Sequence, residues 1–460
     1  MKVADRSAIV AFLCFDRGAI NDFQQTSPLR FTSVTSSDIS YWNSHLKLKC
    51  RPEDFRVEEL TTVTPSRGAF AFYRLTKQSI GTVEVISQIV EQWKIPRWRI
   101  SYGGLKDKHA ITVQYLTIQD GPRTSPQQSQ FELEFLGHVD RAFTTADLDG
   151  NRFELVLRDM TDDEVDAAVV AAGEVKRSGL ANYYDDQRFG SLCDSGEWVA
   201  KAWCLGDWER ALWLALADPH PFDRAAEKQQ KEILREHWGR WGECKQALDK
   251  SHRRSVVTFL ADKEAAGKPI DFRGAFCCLS IDLRGLYLSA WQSAVWNRML
   301  DRLLRSTIDA LCLRELELRA GTVVLPTSLT DDEAASMRNI ELPFPSAKTR
   351  TDDEAALALL DAVLADEGLE RRQLRFKYPK DSFFSKGVRP ALIDIAGLSA
   401  SIDDDELHSG RRKLILNFDL PRGSYATMLV KRLTQSEQTL GTSQTPAAED
   451  TVDQPDSEEG

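Results

Sequence analysis

Residues 102–118 read YGGLKDKHAITVQYLTI, and the two halves of this stretch ask for different backbones. The second half, 112–118, is β-branched and aromatic and reads as a strand. The first half opens on Gly103 and Gly104, which let the chain bend sharply or approach a ligand closely. Lys106, Asp107 and Lys108 then set a carboxylate between two ammonium groups just ahead of the strand. Neighbouring cations favour the ionised carboxylate, which suits a nucleophile or electrostatic catalyst better than a general acid. A phosphate loop is excluded, because GxxxxGK[ST] is absent. By residue type alone, a glycine turn with solvated charges is the competing reading.

Working outward, Val85, Ile86, Ile89, Val90 and Trp93 recur at three- and four-residue spacing before Pro96, and Thr82 precedes Glu84. This predicts an amphipathic helix capped by Thr82. Phe131, Leu133 and Phe135 alternate with Glu132 and Glu134, and Phe153, Leu155 and Leu157 with Arg152, Glu154 and Val156; both predict half-buried strands. Thr161-Asp-Asp-Glu164 is a capping box, opening a helix that ends at Gly179. Alternation returns at Leu374, Phe376 and Tyr378 against Arg375 and Lys377, and at Leu414, Leu416 and Phe418. Residues 208–370 are richer in long charged helices, such as 224–254 and 352–367, with helical patterning over 288–304. The pattern predicts a mixed α and β chain with a mostly helical insertion between two β-rich parts.

A length of 460 residues suggests two or three domains. Composition, at 42% hydrophobic and 28% charged, is that of an ordinary globular protein. No apolar run approaches the length of a transmembrane helix. Residues 8–15 (AIVAFLCF) are apolar, but Asp16-Arg17 stand where a small-residue cleavage site belongs. A buried strand or an unstructured extension is expected there rather than a signal peptide. Eight cysteines make no CxxC pair and seven histidines no HExxH. Reduced thiols in a cytoplasm and no structural zinc are expected.

The formal net charge of −11 argues at first against a nucleic-acid partner. Seven acids and no Lys or Arg fall in residues 435–460, which leaves −4 on the remainder of the chain. That tail has almost nothing apolar to bury and is expected to be disordered. Residues 371–389 carry seven basic residues against Asp381. Local basic faces bind phosphates whatever the net charge, although a solvated surface is the plainer alternative. Residues 182–190 (NYYDDQRFG) gather amides, aromatics and an arginine on a loop. Amides read a base edge, aromatics stack on it and arginine takes a phosphate or carboxylate. A tyrosine-rich structural turn is the alternative there.

These segments together resemble the TruD family of tRNA pseudouridine synthases. The resemblance rests on PEDFRVEE (52–59), GGLKDKHAITVQ (103–114), NYYDDQRFG (182–190), LSAWQSAVWN (288–297) and FDLPRGSYATMLVKRL (418–433). It runs in order from about Arg51 to Leu433, more loosely through the centre. It implies an α+β fold, with a catalytic domain (46–207 and 386–434) on a mixed, largely antiparallel sheet with flanking helices. An inserted α/β domain (208–385), an N-terminal extension (1–45) and the acidic tail complete the expected organisation.

The resemblance implies isomerisation of a uridine in tRNA, uridine 13 of the D arm in the tRNA convention. Asp107 aligns with the nucleophile. Phe55, Asn182 and Phe418 align with residues that contact the target nucleotide, and Lys106, Tyr184 and Gln187 stand at motif positions around the site. Tyr184 replaces a usual Phe, and Asp185-Asp186 replaces a pair that commonly contains Gly, which puts the loop's backbone geometry in question. Arg375 and Lys377 are candidate phosphate contacts. The chemistry breaks N1–C1′, turns the uracil and rejoins it through C5, so no cofactor or metal is expected. A monomer that binds tRNA and no membrane is the full expectation. The alternative is a catalytically silent RNA-binding protein on the same scaffold.

Overall fold

Inward and outward side chains alternate along Phe55, Val57 and Glu59 as they do along Phe153, Leu155 and Leu157, and these strands build the sheet that carries the site. The computed structural model describes residues 47–435 apart from 127, 377, 380 and 381. The expectations for residues 1–45, the acidic tail beyond Gln435 and Lys377 lie outside the described residues.

The chain begins with β1 (Lys47–Leu48), β2 (Phe55–Leu60) and β3 (Phe70–Gln78), then α1 (Thr82–Trp93). Strands β4 (Ile100–Tyr102), β5 (Ile111–Gln119), β6 (Phe131–Val139) and β7 (Gly150–Met160) follow, then α2 (Asp162–Ser178) and the short β8 (Leu180–Ala181). A helical stretch comes next: α3 (Val199–Leu205), α4 (Trp208–Leu216), α5 (Ala225–Glu236), α6 (Trp241–Ala247), α7 (His252–Ala265), α8 (Phe272–Cys277) and the long α9 (Ile281–Thr307). Then come β9 (Leu313–Leu318), β10 (Gly321–Pro326), α10 (Asp331–Arg338), β11 (Glu341–Pro343) and α11 (Glu354–Asp366). The chain returns through β12 (Val388–Pro390), β13 (Leu392–Ile393), β14 (Ala396–Asp404), β15 (Arg412–Pro421) and α12 (Ala426–Thr434).

The main sheet has the order β14-β15-β7-β2-β5-β3-β6, with β1 on β7 and β4 on β5. Its pairs are antiparallel except β2 with β5. This is the mixed, largely antiparallel sheet of an α+β fold. Helix α1 lays Val85, Ile86 and Ile89 on Tyr73, Leu75, Leu116 and Leu133. Beyond β2, a larger core takes in Leu155, Leu157, Leu414 and Leu416 with Val165, Ala168 and Val175 of α2, and runs on into α9. Trp291 and Trp296 of α9 are fully buried there. Leu180 and Ala181 pair with Ile393 and Leu392, so the chain leaves for the helical stretch and returns from it side by side.

Three local expectations are corrected. Thr82 is the first helical residue and not the cap; the cap is Gly81, and the Thr82 hydroxyl bonds the neighbouring loop instead. The 224–254 stretch is not one helix, because turns at 237–240, with Gly239 at φ 88°, and at 248–251 divide it into α5, α6 and the start of α7. Leu374, Phe376 and Tyr378 do not form a strand: Arg371–Leu374 is a 3-10 turn. Phe376 stacks on Trp203 at 4.2 Å, and the Trp203 indole N–H donates to the Tyr378 carbonyl, so packing on α3 replaces strand pairing.

Candidate active site

The pleat places Phe55, Val57 and Glu59 of β2 on one face with Asn151, Phe153 and Leu155 of β7 and Leu416, Phe418 and Leu420 of β15. Thr112 and Gln114 of β5 and Lys77 of β3 continue that face. The 103–110 loop folds back over it. Gly103 packs so closely on Leu148 that a β-carbon would stand 2.8 Å from its side-chain methyl, so a larger residue there would have to push the Leu148 side chain aside.

Buried backbone polar groups must find partners, and the loop finds them in side chains from this face, from α1 and from the Thr145–Asp147 turn. Thr145 donates to the Gly103 carbonyl (2.7 Å) and Gln114 Nε2 to the Gly104 carbonyl (3.2 Å). The Lys106 N–H donates to Thr82 Oγ1 (3.0 Å), whose hydroxyl donates to Gln114 Oε1 (2.8 Å). Lys77 Nζ donates to the carbonyls of Asp107 (2.7 Å) and Lys106 (3.3 Å). The loop is therefore held at successive peptides.

Asp107 is half-buried, with its side chain 20% exposed. Lys49 forms an ion pair with one carboxylate oxygen, and the His109 N–H donates to the other (2.9 Å). Burial alone would raise the Asp107 pKa. The Lys49 ammonium and these hydrogen bonds outweigh it, holding the carboxyl below its ordinary value. Lys49 itself has a left-handed backbone, φ 63°, which is uncommon outside glycine and marks a constrained position. Its Nζ also sits 4.1 Å from the centre of the Phe55 ring. Phe55 meets Phe153 edge-on at 6.4 Å, and Phe153 stacks on Phe418 at 5.2 Å. Asp107, Phe55 and Phe418 thus belong to one connected array. Lys106 turns inward, its Nζ 3.1 Å from Glu59 and donating to Asn151 Oδ1 at 2.7 Å. Burial raises the Glu59 pKa, and Lys106 opposes the rise.

The 182–190 segment forms a second group. Asn182 is buried, donating to the Pro390 carbonyl (3.0 Å) and accepting from Arg389 Nη2 (2.6 Å) and Ser424 Oγ (3.2 Å). Tyr184 exchanges backbone hydrogen bonds with the Asn297 side chain, meets Trp296 and Tyr425 edge-on and lies under Arg389 at 4.2 Å. The 288–297 motif is therefore the support of the 182–190 motif. Asp185 and Asp186 need no glycine geometry: Asp185 has φ −93°, Asp186 opens a 3-10 turn, and both pair with buried Lys431. Gln187 is exposed on that turn. Residues 421–424 join the two groups. Arg422 donates to the carbonyls of Thr145 and Asp149, Arg389 Nη1 to the Gly423 carbonyl, and Ser424 to Asn182.

The basic run divides. Arg389 is buried and not part of a surface, Arg371 pairs with Asp361, and Arg372 with Glu370. Arg375 and Lys386 are exposed. Sequence reasoning missed Lys49, Lys77, Glu59, Asn151 and Arg389. For Lys77 and Glu59 a signal existed, since each is a charge in the apolar register of an alternating strand.

Residues 43–433 match the family described as tRNA pseudouridine synthase D (TruD). A probable tRNA pseudouridine synthase D 1 from Methanococcus maripaludis is 29% identical over 84% of this chain and 99% of its own length. A tRNA pseudouridine synthase D from Leptospira interrogans is 28% identical over 84% and 95%. The crystal structure of a protein described as a putative tRNA pseudouridine synthase D from Methanosarcina mazei superposes with a TM-score of 0.66. It is 23% identical and covers 85% of this chain and 93% of the other, so the fold is shared.

Proposed function

Because this chain belongs to the TruD family, we propose that it is a tRNA pseudouridine synthase that isomerises one uridine of tRNA, uridine 13 of the D arm, with Asp107 as the nucleophile. The observation that carries the reading is the Asp107 carboxylate, kept ionised by Lys49 and the His109 N–H on a loop pinned at successive peptides. Ionised and aimed, it can attack C1′ of the ribose to form an ester, or take the C2′ proton to form a glycal; either route breaks the C1′–N1 bond and releases uracil from C1′. The uracil turns and C5 bonds to C1′, displacing the Asp107 carboxylate on the first route or with return of the C2′ proton from Asp107 on the second; C5 then loses its proton and N1 gains one, and no cofactor is called for. Among the described residues no helix is long and apolar enough to cross a membrane.

The aromatic array gives the detached base a floor, with Phe55 as the ring nearest the carboxylate through Lys49. The Phe55 face under Lys49 is occupied, so a base stacks on it only after the ammonium moves aside. Phe418 sets the far end of this array through Phe153. Asn182 can read a base edge only by exchanging one of its present partners; Tyr184 backs it from under Arg389, and Gln187, exposed on the same segment, is assigned to the substrate by its place in the motif. Arg375 and Lys377 are assigned to tRNA phosphates, the cost of unstacking and flipping the uridine being offset by such contacts. The reading includes a monomer in the cytoplasm and an inserted domain over 208–385.

The test is conversion of an unmodified tRNA transcript by the purified protein, with pseudouridine mapped by carbodiimide modification and reverse transcription. The expected product is one pseudouridine in the D arm. Binding of tRNA without conversion of any uridine would favour the silent RNA-binding alternative.

A further inference from the structure

Ala71, Tyr73, Leu75 and Lys77 share one side of β3, and the first three are sealed into the core. Lys77 ends this row at 1% exposure. Packing alone asks for an apolar side chain here, because burying an ammonium is costly unless its hydrogen bonds are made. Its cross-strand neighbours are Thr112 on β5 and Phe131 on β6, and neither carries a countercharge. Its partners are carbonyls: those of Ile80 (2.9 Å), Asp107 (2.7 Å) and Lys106 (3.3 Å). Three donors meet three acceptors.

Two of those carbonyls flank Asp107. The Lys106 carbonyl belongs to the peptide plane before its α-carbon and the Asp107 carbonyl to the plane after it. Peptide units are rigid, so fixing both planes fixes φ and ψ of Asp107 and with them the direction of its Cα–Cβ bond. Lys49 and the His109 N–H then orient the carboxylate beyond that bond.

We propose that Lys77 is the positioning residue of this enzyme: from inside the core, its ammonium clamps the two peptide planes around Asp107 and so aims the carboxylate at the ribose. The inference rests on Asp107 being the reacting group. Burial pushes the Lys77 ammonium down to about 8. The charged groups facing it are Asp107 and Lys106 on the loop and Glu84 on α1; the two carboxylates favour the ammonium and Lys106 disfavours it. A neutral amine offers two donors to three carbonyls, so one of the three bonds is lost when the proton leaves, and the longest of them is the one to the Lys106 carbonyl.

Full-length wild type, Lys77→Met and Asp107→Asn are compared in single-turnover conversion of a tRNA transcript, with tRNA affinity measured separately. For Lys77→Met we expect a Kd for tRNA within about twofold of wild type and a rate at saturation reduced about 10–100-fold. The saturating wild-type rate should fall as pH rises through about 8, and the residual rate of Lys77→Met should lack that fall. A purely structural lysine would move stability and affinity without this split. A folded Lys77→Met that turns over within about twofold of wild type overturns the proposal. Should Lys77→Met fail to fold, the wild-type profile decides: a rate that holds level from about pH 7 to about pH 10 overturns it. An active Asp107→Asn defeats the nucleophile assignment and the clamp together. An inactive Asp107→Asn beside a fully active Lys77→Met defeats the clamp alone.

Discussion

The ammonium of Lys49 forms an ion pair with the Asp107 carboxylate, reaching it from a left-handed turn three residues ahead of Pro52. Residues 58 apart in sequence are joined by this ion pair. Without Lys49, burial would act on Asp107 with less opposition and raise its pKa.

Lys49→Met should therefore move the acidic limb of the pH–rate profile to higher pH. The sign follows from linkage. A carboxyl whose folded pKa is depressed contributes stability above its unfolded value, near 3.8, and loses it as pH falls through the folded value. The variant gives up that contribution at neutral pH as well. Single-turnover rates between mildly acidic and neutral pH check the shift; an unmoved acidic limb would show that Lys49 does not set the charge of Asp107.

Arg158→Met should destabilise the fold by about 3–5 kcal/mol. Arg158 is 4% exposed and pairs with Asp54 and Asp405, both buried, and with Glu406. It thereby ties the Pro52–Asp54 turn ahead of Phe55 to the far hairpin. Removing it takes the cation away from two buried carboxylates. Hydrogen bonds from the Leu407 and Asp159 N–H groups, His408 and Arg158 outweigh burial and hold the Asp405 carboxyl down to about 2. Its stabilising effect is present above about 4 and lost as pH falls through about 2. Urea unfolding at neutral pH and in acid measures both effects.

Arg375→Ala combined with Lys377→Ala should raise the KM for tRNA and leave the saturating single-turnover rate nearly unchanged. Removing each phosphate-binding cation should reduce the salt slope of binding by about one. Tight binding by the double variant across a salt titration would return this stretch to the solvated surface.

Much of the sheet is legible because β6, β7 and β15 each keep one face apolar and β5 is rich in β-branched residues, and the capping box at Thr161 states where α2 begins. The motif residues Asp107, Phe55 and Phe418 were legible by resemblance. What holds them was not. Lys77 and Glu59 break the apolar register of their strands, and alternation by itself reads such charges as exceptions rather than as supports. Thr82 reads as a cap because its sequence neighbours look the same whether its hydroxyl serves its own helix or another loop. Arg389 counts with a basic surface in sequence, since local sequence cannot show that Asn182, Tyr184 and Gly423 close around it. Phe376 follows a period of two without a strand because its partner is Trp203, more than a hundred residues away.

The most direct measurement is the single-turnover rate of pure Asp107→Asn on a saturating tRNA transcript. The amide keeps the shape of the carboxylate and its bond from the His109 N–H but carries no charge to attack or deprotonate the ribose. Pseudouridine formation should be lost while cooperative unfolding and tRNA affinity stay close to wild type. Retention of more than a few per cent of the wild-type rate would contradict it.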